Sequence, residues 1–286
     1  MSEAVRRLLR DWLRRQLPGD KFAWLEGELA KLAEGRQRDL DILFGHIPRR
    51  LGKAELNLSD NDRAAAARER SGWDPRRWTV DEAGRILALL DFAGAAPDWF
   101  TETFLQLCRT AEVSELLALY RGLPLYPSPE KLEWQAGEGL RTSMRTVFEA
   151  IAHRNPYPKE TFSEERWNHM VLKGLFIDST LAPIQGIDER SNPTLARILS
   201  DYAHERWAAG RPVTPELWRC LGPFAEGDLV EDLARLARSE NGEERRAAAL
   251  ALSVSPDDRA AELLRRIPVE ATMVQTGSIT WDSLSA

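Results

Sequence analysis

Residues 5–19 read Val-Arg-Arg-Leu-Leu-Arg-Asp-Trp-Leu-Arg-Arg-Gln-Leu-Pro-Gly. Val5, Leu8, Leu9, Trp12, Leu13 and Leu17 recur at the three- and four-residue spacing that puts them on one side of an α-helix. Arg6, Arg7, Arg10, Arg14 and Arg15 occupy the other side, and Pro18-Gly19 stops the helix. The same period returns from one end of the chain to the other, whereas runs of alternating β-branched residues are nearly absent. The pattern predicts an all-α fold.

Working outward, Phe22, Leu25, Leu29 and Leu32 form the inner stripe of a helix over 20–32, a third helix covers 38–51, and an Ala-rich helix covers 59–70. Further starts are marked by a capping side chain followed by proline at the first helical position, where no backbone donor is lost: Ser128-Pro129, Asn192-Pro193, Thr214-Pro215 and Ser255-Pro256. Thr79 with Glu82 has the capping-box spacing. These marks divide the rest into helices at about 80–93, 98–109, 112–121, 129–152, 163–177, 193–209, 215–221, 227–238, 243–253 and 256–266. Short helices joined by short turns suit an irregular α-solenoid of antiparallel pairs running as one array over 1–267. Its C-terminal part is HEAT-like: Ala247, Ala248, Leu250 and Ala251 offer a small-residue face that Leu263, Leu264 and Ile267 would cover. Residues 268–286 lack an apolar stripe and read as a tail without fixed structure.

The 286 residues are 43% hydrophobic, enough for a substantial core. Thirty-nine Lys and Arg stand against 45 Asp and Glu, a net charge of −6 that disfavours nucleic acid as a partner. Cys108 and Cys220 lie far apart with no CxxC or Cys/His ligand spacing, so neither a disulfide framework nor a zinc site is expected, and a reducing cytoplasm fits. No apolar run approaches the roughly 20 residues that span a bilayer. No phosphate loop, dinucleotide fingerprint or GxSxG occurs, and no cofactor is expected.

The richest polar region is 150–220. His153, His169 and His204, three of the four histidines, fall within it. His153-Arg154-Asn155-Pro156-Tyr157-Pro158 forces an extended path. Asn168, His169 and Lys173 lie off the core stripe of the 163–177 helix, and the long 178–192 connection carries Asp188 and Arg190. His204 and Glu205 follow on the next helix. Read as a binding surface, these residues offer His153, Asn155, Tyr157, Asn168, His169, Lys173, Asp188, Arg190, His204 and Glu205 to a metabolite or a partner. Read as a metal-assisted enzyme, His153, His169 and His204 would be ligands and Glu205 the general base. The HExxH spacing is missing, because position 208 is Ala. The plainer alternative assigns Asp188, Arg190, Glu205 and Arg206 to salt bridges and caps that fix the long loop.

Most of the ten tryptophans suit the core, with Trp73, Trp78 and Trp281 placed where partner contact is an alternative. The basic amphipathic segment 1–17 suits either a first core layer or peripheral attachment to an anionic membrane.

Five runs occur in order: His153-Arg154-Asn155-Pro156-Tyr157-Pro158; Trp167-Asn168-His169-Met170-Val171-Leu172-Lys173; Asp188-Glu189-Arg190-Ser191-Asn192-Pro193; Asp201-Tyr202-Ala203-His204-Glu205-Arg206-Trp207; and Leu217-Trp218-Arg219-Cys220. Together they resemble the EboA family, most strongly over residues 140–225. The resemblance implies a bacterial gene-cluster context with a membrane prenyltransferase-like protein, hydrolase-like and dehydroquinate-synthase-like proteins, and sugar-isomerase-like or pyrophosphatase-like proteins. It implies a part in moving secondary-metabolite precursors toward the periplasm, and it transfers no catalytic residues. The resulting expectation is a cytoplasmic, non-catalytic adaptor or metabolite-binding protein.

Overall fold

The computed structural model describes residues 3–284, which form 18 α-helices and no strand. The chain divides into two compact units, Met1–Phe162 and Ser163–Ala286, where the sequence reading draws one array.

The first unit contains α1 (Glu3–Gln16), α2 (Gly19–Lys31), α3 (Gln37–Leu51), α4 (Asp60–Glu69), α5 (Val80–Ala95), α6 (Phe100–Thr110), α7 (Val113–Arg121), α8 (Pro129–Leu140), α9 (Arg145–Ala152) and α10 (Tyr157–Thr161). Helix α5 is its centre, with α1, α3 and α7 packed around it. Every residue of α5 from Val80 to Leu90 is buried, Asp81, Glu82 and Arg85 among them. A charge in such a place needs partners. Arg85 reaches Asp81 at 3.2 Å, Glu115 at 3.6 Å and the Phe44 carbonyl at 3.1 Å, and its guanidinium lies 5.1 Å from the Phe44 ring centroid.

The apolar face of α1 belongs to this core. Val5, Leu9, Trp12 and Leu13 are buried, and Trp12 Nε1 donates to Asp62 Oδ1 at 3.0 Å. Arg6 and Arg10 pair with Asp91, and Arg15 with Asp62. Residues 1 and 2 of the amphipathic segment lie outside the described residues. Trp73 and Trp78 are buried as well, Trp73 standing 5.4 Å from Trp12 and 6.0 Å from Trp78 between ring centroids.

The 129–152 helix of the sequence reading is two helices. Thr142 Oγ1 takes the Met144 backbone N–H at 3.0 Å, a local side-chain bond that competes with the helical ladder. Met144, placed inward by the period, is exposed. Gly139 is where α8 meets α7: a Cβ there would lie 2.6 Å from Tyr120 Cζ.

The second unit contains α11 (Glu164–Phe176), α12 (Pro193–Ala208), α13 (Leu217–Leu221), α14 (Asp228–Ala237), α15 (Gly242–Leu252), α16 (Ala260–Arg266), α17 (Pro268–Gln275) and α18 (Trp281–Leu284). Helix α15 buries Ala247 to Leu252, and α13, α14, α16 and α17 pack on it. Gly222, just after α13, sits on that small-residue face, and a Cβ there would come within 2.9 Å of Ala251 Cα. Two cap-proline marks lie outside their helices. Thr214-Pro215 precedes α13 by a turn, and Ser255 Oγ donates to the Ala225 carbonyl at 2.7 Å instead of capping a helix at 256. The expected tail forms α17 and α18, with Glu270 taking Arg245 at 2.8 Å and Asp282 taking Arg219 at 3.0 Å. Residues 285 and 286 lie outside the described residues.

Among the described residues no helix is long and apolar enough to cross a membrane.

Candidate functional site

Helix α12 begins where the sequence marks it. Asn192 Oδ1 accepts the Leu195 N–H at 2.9 Å, satisfying an amide that the helix start leaves without a partner. The same side chain is paired with buried Asn168 of α11 through two bonds, Asn192 Nδ2 to Asn168 Oδ1 at 2.8 Å and Asn168 Nδ2 to Asn192 Oδ1 at 3.2 Å. Arg190 lies over the fully buried Trp167 ring, 4.7 Å from its centroid.

The 178–192 connection is held from inside by Leu181, Ile184 and Ile187, all buried. It is also held by Glu216, a buried carboxylate that accepts from Leu181 N at 3.0 Å and Ala182 N at 2.9 Å. Asp188 forms a bidentate pair with Arg219 at 2.6 and 2.7 Å. That pair raises the Arg219 guanidinium above its ordinary range, the side-chain bond to Asp188 being the main cause. Sequence reading names Asp188 but misses Glu216 and Arg219, whose partners lie 31–35 positions away.

With its start fixed, α12 presents Arg197, Ser200, Asp201 and His204 along one stripe at helical spacing. All four line a cleft of about 620 Å³, inside the size range of small-molecule sites. Across it stand Phe224, Glu226 and Asp228. The cleft is organised by Asp232, a buried carboxylate on α14. Its Oδ2 accepts from Ser200 Oγ at 2.6 Å, and its Oδ1 lies 2.6 Å from His204 Nε2. A carboxylate there selects the imidazole tautomer with its proton on Nε2, which leaves Nδ1 as the ring's second polar atom. His204 is otherwise exposed and stacks on Trp207, 5.5 Å between centroids; Trp207 stacks on Trp218 at 5.7 Å, and the Arg235 guanidinium lies 3.9 Å from the Trp207 centroid. Arg197 is exposed and has no ion pair among the described residues. The cleft therefore joins fixed donors and acceptors to one cationic side chain, Arg197, and three carboxylates on its rim, an arrangement for a polar ligand carrying charge.

The remaining predicted residues are distributed between the units. In the first, Asn155 is buried and fully engaged: Nδ2 donates to the Tyr120 carbonyl at 3.1 Å and the Ala150 carbonyl at 3.2 Å, and Oδ1 accepts from Tyr157 N at 3.0 Å. Buried Tyr157 donates its hydroxyl to the Pro129 carbonyl at 2.6 Å. His153, half-buried, lines a separate small recess with Arg154. In the second unit His169 and Glu205 are exposed, and Lys173 lies 5.4 Å from the Phe176 centroid. Of the ten, His204 alone lines the α12 cleft. The described residues gather no group of three His, Cys, Asp or Glu suited to a metal ion. Both cysteines are buried, and burial pushes each thiol up to about 12, far from nucleophilic use.

The profile of the family described as "metabolite traffic protein EboA" matches residues 5–222, more than half of the chain. The chain belongs to the EboA family. No curated protein and no solved structure matches it. The EboA match extends well upstream of the 140–225 stretch that carries the resemblance in sequence, to cover nearly all of the first unit and α11, α12 and α13 of the second. It ends at Gly222. The α12 wall of the cleft thus lies inside the EboA match, whereas Glu226, Asp228 and Asp232 lie after it. The signal that could have found the cleft was the Arg197-Ser200-Asp201-His204 stripe; its partner Asp232 has no local mark in the sequence.

Proposed function

We propose that this EboA-family protein is a non-catalytic carrier that binds a small, charged metabolite precursor in the α12 cleft. It passes this molecule to proteins encoded with it, a membrane prenyltransferase-like protein among them. In this reading it works in the cytoplasm, in the traffic of secondary-metabolite precursors. The C-terminal helices around α15 serve as a HEAT-like frame that holds the partners. The observation that carries the reading is the cleft itself: about 620 Å³, with Arg197 exposed on one wall and His204 fixed by Asp232, in a chain of a metabolite-traffic family.

The chemistry of the wall favours holding over turnover. Both cysteine thiols are buried, and no metal-ligand group is gathered among the described residues. Preorganised, oppositely charged groups give orientation and selectivity toward a polar solute at little ordering cost.

The test is purification of the full chain from its host, followed by mass spectrometry of the small molecules released on denaturation. The wild type is expected to release a metabolite that Arg197→Ala and His204→Ala proteins, folded by circular dichroism, do not. Incubation with that metabolite leaves it unchanged. Equal retention by all three proteins would remove the cleft as the carrier site, and chemical conversion of the metabolite would make the protein an enzyme.

A further inference from the structure

A second recess lies wholly in the first unit, lined by Asp74, Arg76, Arg77, Arg121, His153 and Arg154 among others. Four guanidinium groups around one small space are unusual in a chain of net charge −6. Internal partners account for only two of them. Arg76 is matched by Asp74, with Nε 2.9 Å from both carboxylate oxygens. Arg121 is matched by Glu82 and donates to the Arg77 carbonyl at 3.0 Å. Glu149, the other acid of the recess, is paired with Arg145 at 2.7 Å. Among the described residues Arg77 and Arg154 have no ion pair.

The backbone holds both of these arginines in the left-handed region, at φ of 66° and 51°. Among the described residues only two other non-glycine residues, Ser128 and Asp178, share it. That conformation costs free energy for any residue with a Cβ, and such positions cluster at ligand sites. Burial lowers the Arg154 guanidinium below its ordinary value, and Arg77 and Arg76 lower it further; Asp74 and Glu149 offset part of this, and a bound anion would relieve the rest of the repulsion. The space is about 60 Å³. At about 10–15 Å³ of such space per water it holds only a few waters, too little for a metabolite and suited to one compact anion.

We propose that this recess binds a phosphoryl group, with Arg77 and Arg154 as its principal ligands and Arg76 and Arg121 completing the positive wall. Planar guanidinium forks match tetrahedral oxyanions through paired N–H bonds. The site is independent of the α12 cleft, since every residue lining it belongs to the first unit. The phosphoryl group can belong to a soluble phosphate or to a lipid headgroup, and the experiment separates the two.

Inorganic phosphate is titrated calorimetrically into the full chain at constant ionic strength, in parallel with flotation on vesicles with and without phosphatidic acid. The decisive variant is Arg77→Gly/Arg154→Gly, because glycine accepts the left-handed backbone and removes only the side chains. Saturable phosphate binding is expected, weakened at least about tenfold in that variant, the loss of one charge-assisted hydrogen bond, and unchanged in Arg141→Ala, whose side chain is exposed and lies outside both recesses. Flotation on phosphatidic acid alone, lost in the double variant, assigns the same site to a lipid headgroup. The absence of both kinds of binding, or binding equal in the double variant, overturns the proposal. Because the recess and the cleft share no lining residue, failure of one site leaves the other standing.

Discussion

His204 and Asp232 meet at 2.6 Å across 28 positions of sequence, joining α12 to α14 and giving the cleft its one fixed imidazole. Asp232→Asn keeps the shape but replaces an acceptor oxygen with a donor and removes the charge, so either the Ser200 hydroxyl turns to accept or His204 takes the tautomer with a bare Nε2. The expected result is a folded protein less stable by about 1–3 kcal/mol, the difference between two charge-assisted hydrogen bonds and two neutral ones. Denaturant melts would measure the loss, and ¹⁵N chemical shifts of the imidazole would show the two tautomers interchanging.

Arg85 is the charge on which the centre of the first unit depends. Arg85→Ala leaves buried Asp81 without its cation and empties the space over the Phe44 ring. Breaking a buried pair from one side costs about 3–5 kcal/mol, so the variant is expected to populate unfolded first-unit chains in mild urea. Arg85→Met, which keeps much of the volume, leaves Asp81 equally stranded and is expected to recover little.

The apolar side of α1 supports the fold from within. Leu9 is fully buried, and Leu9→Ala is expected to cost about 2–5 kcal/mol through lost transfer energy and the cavity left behind. Co-sedimentation with anionic vesicles should be no weaker in this variant than in the wild type, because the face that would enter a membrane already lies inside the protein. A loss of vesicle binding without a loss of stability would show α1 released to lipid.

Cys220 and Cys108 set a trend with pH. Burial holds both thiols up to about 12 in the folded state, against an ordinary value of 9.0. Above about pH 9 the unfolded chain loses these protons while the native chain keeps them. Stability is therefore complete below the ordinary thiol value and falls as pH rises from about 9 toward about 12. Cys220→Ala should flatten part of that decline in urea melts taken across the range, and a disulfide reagent should label neither thiol until the protein unfolds.

The parts legible in the sequence are those written in neighbouring residues. The stripe of Val5, Leu9, Trp12 and Leu13 announces α1, and Asn192-Pro193 announces α12, because period and cap are local. Thr214-Pro215 and Ser255-Pro256 carry the same mark without a helix at that point, since Ser255 Oγ donates to Ala225 thirty positions earlier. The binding region named from the sequence contains His204, yet the residues that make it a site, Asp232 and Ser200, differ from it in kind. Ser200 looks like a core-facing residue, and Asp232 is a lone acid inside an apolar helix. Asn155, Asn168 and Arg190 are legible as polar residues of the 150–220 region, while their engagement with Tyr120, Asn192 and Trp167 depends on packing that no local pattern records.

The family match ends at Gly222, between the residues that form the two sides of the α12 cleft. Arg197, Ser200, Asp201 and His204 come from the shared part of the chain, and Glu226, Asp228 and Asp232 from the part that follows. If the carrier reading proposed above holds, exchanging the segment after Gly222 between two such proteins would change which cargo is accepted without rebuilding α12, much as a new bit changes the key while the bow stays the same.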